Sequence, residues 1–179
     1  MMNETLKVLE TRRSCRSFKP DMITDEELQA VLRAGSYAPS CRGKQSTITI
    51  VLTNKELRAK LAAVNAKIRG NTEDFDPFYG APVILIVLAD KNATGGDNHK
   101  YDGSLVLGNM FNAATSIGLG SIWINRAKQE FEMELGKEIL RSLGIEGDYE
   151  GVGHCALGYI DKPLPPPAPR KPNSVYYIK

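Results

Sequence analysis

Thr11-Arg12-Arg13-Ser14-Cys15-Arg16-Ser17-Phe18 sets three guanidinium groups and the hydroxyls of Ser14 and Ser17 within eight residues. Arg12, Arg13 and Arg16 repel one another unless an anion sits among them, and Arg presents a planar fork of donors matched to phosphate oxygens. A phosphate grip is one reading. The other is that basic residues close a helix, where they meet the negative end of its dipole. The local sequence leaves the two evenly open.

On the N-terminal side, Asn3 is a candidate N-cap for a short helix in which Leu6 and Leu9 share a face. On the C-terminal side Pro20 interrupts, and Thr24-Asp25-Glu26-Glu27 reads as a capping box. Leu28, Val31 and Leu32 follow it at helical spacing, which predicts a helix to about Gly35. Ser36-Tyr37-Ala38-Pro39-Ser40-Cys41-Arg42-Gly43-Lys44-Gln45 is then a polar loop. It could offer hydroxyl, amide and backbone groups to a ligand, but a solvated connection is the commoner role for such a composition.

The β-branched run Thr47-Ile48-Thr49-Ile50-Val51-Leu52 predicts a strand, and Asn54 can cap a helix bearing Leu57, Leu61, Val64 and Ile68. Residues 69–79 mix Gly, Asn, Asp and Pro with Phe75, Phe78 and Tyr79, which suggests a mobile loop and a candidate lid. Val83-Ile84-Leu85-Ile86-Val87-Leu88 is continuously apolar, as in a central strand covered on both faces. After a polar excursion over residues 90–99, Asp102 can cap a helix through Ile117. Leu105, Val106, Leu107, Met110, Phe111, Ala113 and Ala114 leave that helix apolar nearly all round, which in a chain this small favours a subunit interface.

Gly118-Leu119-Gly120-Ser121 leads into a short strand, Ile122-Trp123-Ile124-Asn125. One glycine suffices to cap the preceding helix, and the second is left without a role. A single further helix carries Phe131, Leu135, Ile139, Leu140 and Leu143, with Gly144 after it. Gly151-Val152-Gly153-His154-Cys155-Ala156 has the spacing of a dinucleotide fingerprint but opens no helix, and residues 156–160 read as a strand. Pro163, Pro165, Pro166, Pro167, Pro169 and Pro172 then make an extended arm, with Arg170 and Lys171 inside it and the apolar tip Val175-Tyr176-Tyr177-Ile178.

With 179 residues, 42% hydrophobic and 25% charged, the chain has the composition of one globular domain: a core over residues 1–162 and an arm over 163–179. A net charge of +2 is too small for a nucleic-acid surface. The sequence shows neither a leader pattern nor an apolar run of membrane-spanning length, so no membrane partner is expected and a cytoplasmic location is. Cys15, Cys41 and Cys155 lack metal-site spacing, and His154-Cys155 is read as structural rather than as a nucleophile and its base.

Arg12-Arg13-Ser14-Cys15-Arg16-Ser17-Phe18, Ala38-Pro39-Ser40 with Gln45, Tyr79-Gly80-Ala81-Pro82, Gly118-Leu119-Gly120-Ser121, and Ala156-Leu157-Gly158-Tyr159 followed by prolines and Arg170-Lys171 recur together in one order. As an ordered set they resemble the flavin-dependent nitroreductase family. The resemblance implies an α+β fold whose mostly antiparallel central sheet is flanked by helices. It also implies an intertwined homodimer with exchanged C-terminal arms and FMN at the subunit interface. By similarity, Arg12, Arg170 and Lys171 would grip the FMN phosphate, with Ser14 beside it and Arg13 acting largely through its backbone. Arg16 would lie at the pyrimidine edge of the flavin, Ser40 and Gln45 would arrive from the neighbouring subunit, and the run Trp123, Ile124, Asn125 would approach flavin N5.

The implied activity is hydride transfer from NADH or NADPH to flavin N5, followed by electron transfer to a nitroaromatic, quinone or similar small oxidant in a ping-pong cycle. The cofactor carries such chemistry, which agrees with the lack of any G-x-S-x-G elbow, P-loop or H-E-x-x-H motif. The sequence departs from the family at Gly43, where relatives often have Asn, at Ser46, where they often have Pro, and at Ile124-Asn125-Arg126, where some have Glu-Gly. An FMN-binding protein that does not use a nicotinamide, and an anion-binding domain without flavin, stand as alternatives.

Overall fold

A computed structural model of the chain describes residues 1–72 and 74–179. The α1 helix (Glu4–Thr11) starts where the Asn3 side chain accepts the Leu6 N–H at 2.9 Å. It buries no residue, and Leu6 and Leu9 stay exposed. The α2 helix (Asp25–Ser36) opens on the expected capping box: Glu27 N–H donates to Thr24 Oγ1, and Thr24 N–H donates to Glu27 Oε2 at 2.8 Å. The Glu27 carboxylate also takes the Tyr159 hydroxyl at 2.8 Å, so one side chain closes the helix and ties it to the sheet. These donors hold the Glu27 pKa below the usual carboxylate range, the Thr24 N–H contributing most. Thr24→Ala should lower stability by about 1 kcal/mol in urea denaturation.

Four strands follow in the order β1 (Thr47–Leu52), β2 (Val83–Asp90), β4 (Tyr149–Gly158), β3 (Gly120–Ile124), all paired antiparallel. The apolar run read as a central strand is β2, with 0% exposure from Val83 to Ala89. Its alternate side chains serve two cores. Ile84, Ile86 and Leu88 face α3 (Lys55–Arg69), α5 (Ala127–Glu132) and α6 (Glu134–Ser142), while Val83, Leu85 and Val87 face α2 and α4 (Asn98–Ser116). Each large aliphatic side chain buried this way contributes about 1.5–3 kcal/mol.

The structure corrects several expectations. Asp102 does not cap α4, which begins at Asn98. Asp102 lies a turn inside the helix and is buried. The apolar surface of α4 is largely used within the chain, with Val106, Leu107, Met110, Phe111 and Ala114 in the core and Tyr101, Leu105 and Ile117 exposed. The single helix expected after β3 is two, because Met133 adopts extended backbone at φ −83°, ψ 165°. That break brings α6 against α5 so closely that a Cβ on Gly136 would stand 2.4 Å from the Glu130 carbonyl oxygen.

The segment over residues 69–79, Glu73 of which lies outside the described residues, is not a free lid in its second half. Asp76 accepts the N–H groups of Phe78 and Gly80 and pairs with Arg58 at 2.6 Å, while the Phe78 ring has 0% exposure. Beyond Ile160 the chain forms no helix or strand, as the prolines require. Among the described residues no helix is long and apolar enough to cross a membrane.

Candidate functional site

At the end of α1 the chain turns extended at Arg12, whose N–H still donates to the Val8 carbonyl at 2.9 Å. The two readings of the arginines divide here by residue. Arg13 folds its guanidinium back onto the carbonyls of Glu10, at 2.9 Å, and Arg12, so it closes the helix. Arg12 and Arg16 do not. Residues 14–18 run along the edge of the sheet, Ser14 bridging Ser121 in parallel and Phe18 bridging Ile160. The Cys15 N–H donates to the Ser121 carbonyl at 3.0 Å.

The strip sends side chains to both sides of this edge, without strict alternation. Cys15 and Phe18 enter the core, and burial pushes the Cys15 thiol pKa up. Arg12, Ser14 and Arg16 stay on the solvent side, lining a cavity. The second glycine of Gly118-Leu119-Gly120 also finds its reason. Gly118 sits at φ +81° after the helix, whereas Gly120 leaves room for Cys15 Sγ and Ile160, both 2.9 Å from where a Cβ would be.

The proline arm doubles back over this strip. Pro165, Pro166 and Ala168 wall a cavity of about 290 Å³ into which Arg12, Arg13, Ser14, Arg16 and Arg170 converge. Among the described residues none of these four guanidinium groups has a carboxylate within 4 Å. Four uncompensated cations around one small space form a receptor for a multiply charged anion. Lys171, next to Arg170, does not line this cavity.

From the cavity a ridge leads across α4 to the sheet edge. The Arg12 guanidinium lies 5.8 Å over the Phe111 ring, and Phe111 packs against Trp123 with centroids 6.2 Å apart. Trp123 is 37% exposed, whereas Ile124 buries its side chain in the core. Asn125 is exposed but its carbonyl is fixed, accepting Asn65 Nδ2 at 2.9 Å. Asn65 also binds Glu130 through Nδ2 and Arg126 Nε through Oδ1, the latter at 3.0 Å. Arg126 itself takes φ +83°, an uncommon conformation for a side-chain-bearing residue that this network supports.

Beneath the corner lie Glu130 and His154, both with 0% exposure, with His154 Nε2 2.7 Å from Glu130 Oε2. His154 and Cys155 are structural, as read: the His154 ring faces the core and burial drives the Cys155 thiol pKa strongly upward. The Asn65, Glu130 and His154 group was not legible as a unit. A glutamate beside Phe131 on an apolar helix face was its single local signal.

Ser40 and Gln45 stand apart from all of this. Their loop precedes β1, whose first residue Thr47 pairs with Ala89, and Ala89 pairs with Glu150 at the start of β4. The arginine strip lies beside Ser121, which pairs with Leu157 near the end of β4. The two groups therefore occupy diagonally opposite corners of the sheet, four interstrand spacings or roughly 19 Å apart across the strands alone. Within one chain they do not meet.

The sequence model of the nitroreductase family matches residues 9–159. Among solved structures, a nitroreductase with bound FMN from Desulfitobacterium hafniense DCB-2 is 30% identical, with a TM-score of 0.88 and coverage of 100% of both chains. A nitroreductase with bound FMN from Bacteroides fragilis NCTC 9343 is 28% identical, with a TM-score of 0.87, over 99% of this chain and 100% of that one. An FMN reductase [NAD(P)H] of Bacillus subtilis is 28% identical over 92% of this chain and 71% of its own length. The matched span takes in the arginine strip, both sheet edges and the corner after β3, and the chain belongs to the nitroreductase family.

Proposed function

We propose that this protein is an NAD(P)H-dependent FMN oxidoreductase. The observation that carries this reading is the arginine cavity: uncompensated guanidiniums and one serine hydroxyl at a site reached by an exposed aromatic, in a chain of this family. The donor set fits a phosphate monoester, since Arg12 and Arg170 supply forks of N–H groups and Ser14 supplies a hydroxyl. Arg13 holds the end of α1 in place and adds backbone and field. Lys171 adds positive potential from outside the cavity.

When bound, FMN supplies the hydride-accepting and electron-donating chemistry. The chain's task is to bind and orient it. Trp123 and the backbone of Ile124 and Asn125 would border the ring system, and Arg16 would place a cation where reduction concentrates negative charge, favouring the reduced state. Ser40 and Gln45 would complete the pocket from a second copy of the chain, which the diagonal separation within one copy calls for.

The homodimer is part of the same proposal. Leu6, Leu9, Leu105 and Ile117 form exposed apolar surface on α1 and α4, beside a groove of about 680 Å³ between α1, α2 and α4. Val175, Tyr176, Tyr177 and Ile178 are each at least 67% exposed and would dock on the partner as an exchanged arm. A nicotinamide and a flat oxidant such as a nitroaromatic or quinone would use one open face in turn. Steady-state rates measured while varying both should give parallel double-reciprocal lines. Intersecting lines would contradict the alternating use of one face.

A further inference from the structure

Asp102 is 3% exposed and divides its carboxylate between the two ends of one loop. Oδ1 accepts the Cys41 N–H at 2.8 Å, and Oδ2 accepts the Ser46 hydroxyl at 2.7 Å. Between these anchors Arg42 takes φ +52° and Gln45 takes φ +48°. Left-handed backbone at a residue with a side chain costs about 1–2 kcal/mol and persists only where its surroundings over-determine it. The loop's own bonds help: Gly43 N–H donates to the Ser40 carbonyl at 3.0 Å and Gln45 N–H to Ser40 Oγ at 2.9 Å. Those bonds lie within the loop, however, and do not fix it to the body of the protein. Asp102 does, with Ser46 itself joined to β2 through its carbonyl and the Asp90 N–H at 2.8 Å.

A solvated connection needs neither strained backbone nor a buried carboxylate. We infer that Asp102 is a positioning residue that holds the loop over residues 40–46 in the shape by which Ser40 and Gln45 meet the flavin. This rests on the flavoprotein reading above. The loop lies far from the arginine cavity, so Asp102 acts on the ring end of the cofactor site and through the second copy. The departures at Gly43 and Ser46 belong to the same device: Gly43 accepts φ +66° without strain, and Ser46 supplies the hydroxyl that the Asp102 carboxylate needs.

Asp102→Ala removes both anchors, Ser46→Ala removes one, and Asp102→Asn keeps both, because its amide oxygen can accept from Cys41 and its NH2 can donate to Ser46 Oγ. FMN affinity by fluorescence quenching, the absorbance spectrum of the bound flavin, and hydrogen exchange over residues 41–46 would be measured on the full chain. The expected result is faster exchange, a changed flavin spectrum and FMN affinity weakened about 10–100-fold in Asp102→Ala. Ser46→Ala should fall between, and Asp102→Asn should stay within about 3-fold of wild type. Ser46→Ala carries the test should Asp102→Ala not fold.

Faster exchange with unchanged FMN affinity and spectrum would overturn the positioning role, since a purely structural anchor would change exchange alone. Unchanged exchange would overturn the anchor itself. Wild-type protein that takes up no FMN would overturn the flavoprotein reading and this role together, and is told apart by being seen before any substitution.

Discussion

Replacing Glu130 with alanine is expected to cost about 3–5 kcal/mol of folding stability, the range for removing one partner of a buried, closely apposed ionisable pair. Glu130 and His154 are wholly enclosed, and their Oε2 and Nε2 atoms stand 2.7 Å apart, off the line of a well-aligned hydrogen bond. His154 Nδ1 already faces the Ile124 carbonyl at 3.1 Å, so the ring cannot turn to another partner without losing that one. Truncation would leave Nε2 facing a void and free one of the Asn65 contacts. Glu130→Gln keeps the volume and a hydrogen-bonding head and should cost about 1–2 kcal/mol. Urea denaturation of the two variants measures the contrast, and a loss below about 1 kcal/mol for alanine would show the pair to be dispensable. Because Asn65 also holds Asn125 and Arg126, the alanine variant should loosen the corner after β3 as well.

Arg12→Ala is expected to weaken FMN binding by roughly 10–150-fold, the loss of a charge-assisted phosphate contact worth about 1.5–3 kcal/mol. Arg12, like Arg16, commits no guanidinium N–H to an acceptor among the described residues, and its guanidinium rests over Phe111, whereas Arg13 is spent on the carbonyls of Glu10 and Arg12 and Arg170 leans on the Ala168 carbonyl. Arg12→Lys retains charge but not the fork, and should fall between. Arg13→Ala should change FMN affinity only a few-fold, its main effect being on the end of α1. Riboflavin, which lacks the phosphate, provides the control: its affinity should respond little to Arg12→Ala. Wild-type affinity for FMN in Arg12→Ala, or equal losses for FMN and riboflavin, would place the phosphate elsewhere.

The fold was legible where local chemistry decides it. Asn3, Thr24 and Asn54 cap the helices they precede, because a side-chain oxygen two or three residues ahead of free N–H groups needs no tertiary context. The unbroken run in β2 could be placed centrally, since both faces of such a strand must be covered. What escaped depended on contacts between distant segments. Asp102 has the look of a cap, but its partners lie about sixty residues away in the loop before β1. The break between α5 and α6 at Met133 lets Gly136 approach Glu130, a contact that helical periodicity does not register.

The site divides in the same way. Arg12, Arg13 and Arg16 could be read as a group because guanidiniums so close in sequence repel without an anion, and the family resemblance added Ser14 and Arg170, which line the same cavity. That Arg13 serves the helix, that Lys171 stays outside, and that Ser40 and Gln45 sit at the opposite corner are facts of packing and topology. Phe111, expected on an interface helix, and Trp123, expected on a strand and by resemblance near flavin N5, form the bridge between the cavity and the sheet edge.

The measurement that tests the account most directly is an anaerobic absorbance spectrum of the purified protein loaded with FMN, before and after addition of NADH and then NADPH. The account predicts bound-flavin bands that bleach with at least one donor at the rate of turnover. Bands that persist with both donors, or protein that retains no FMN, would contradict it.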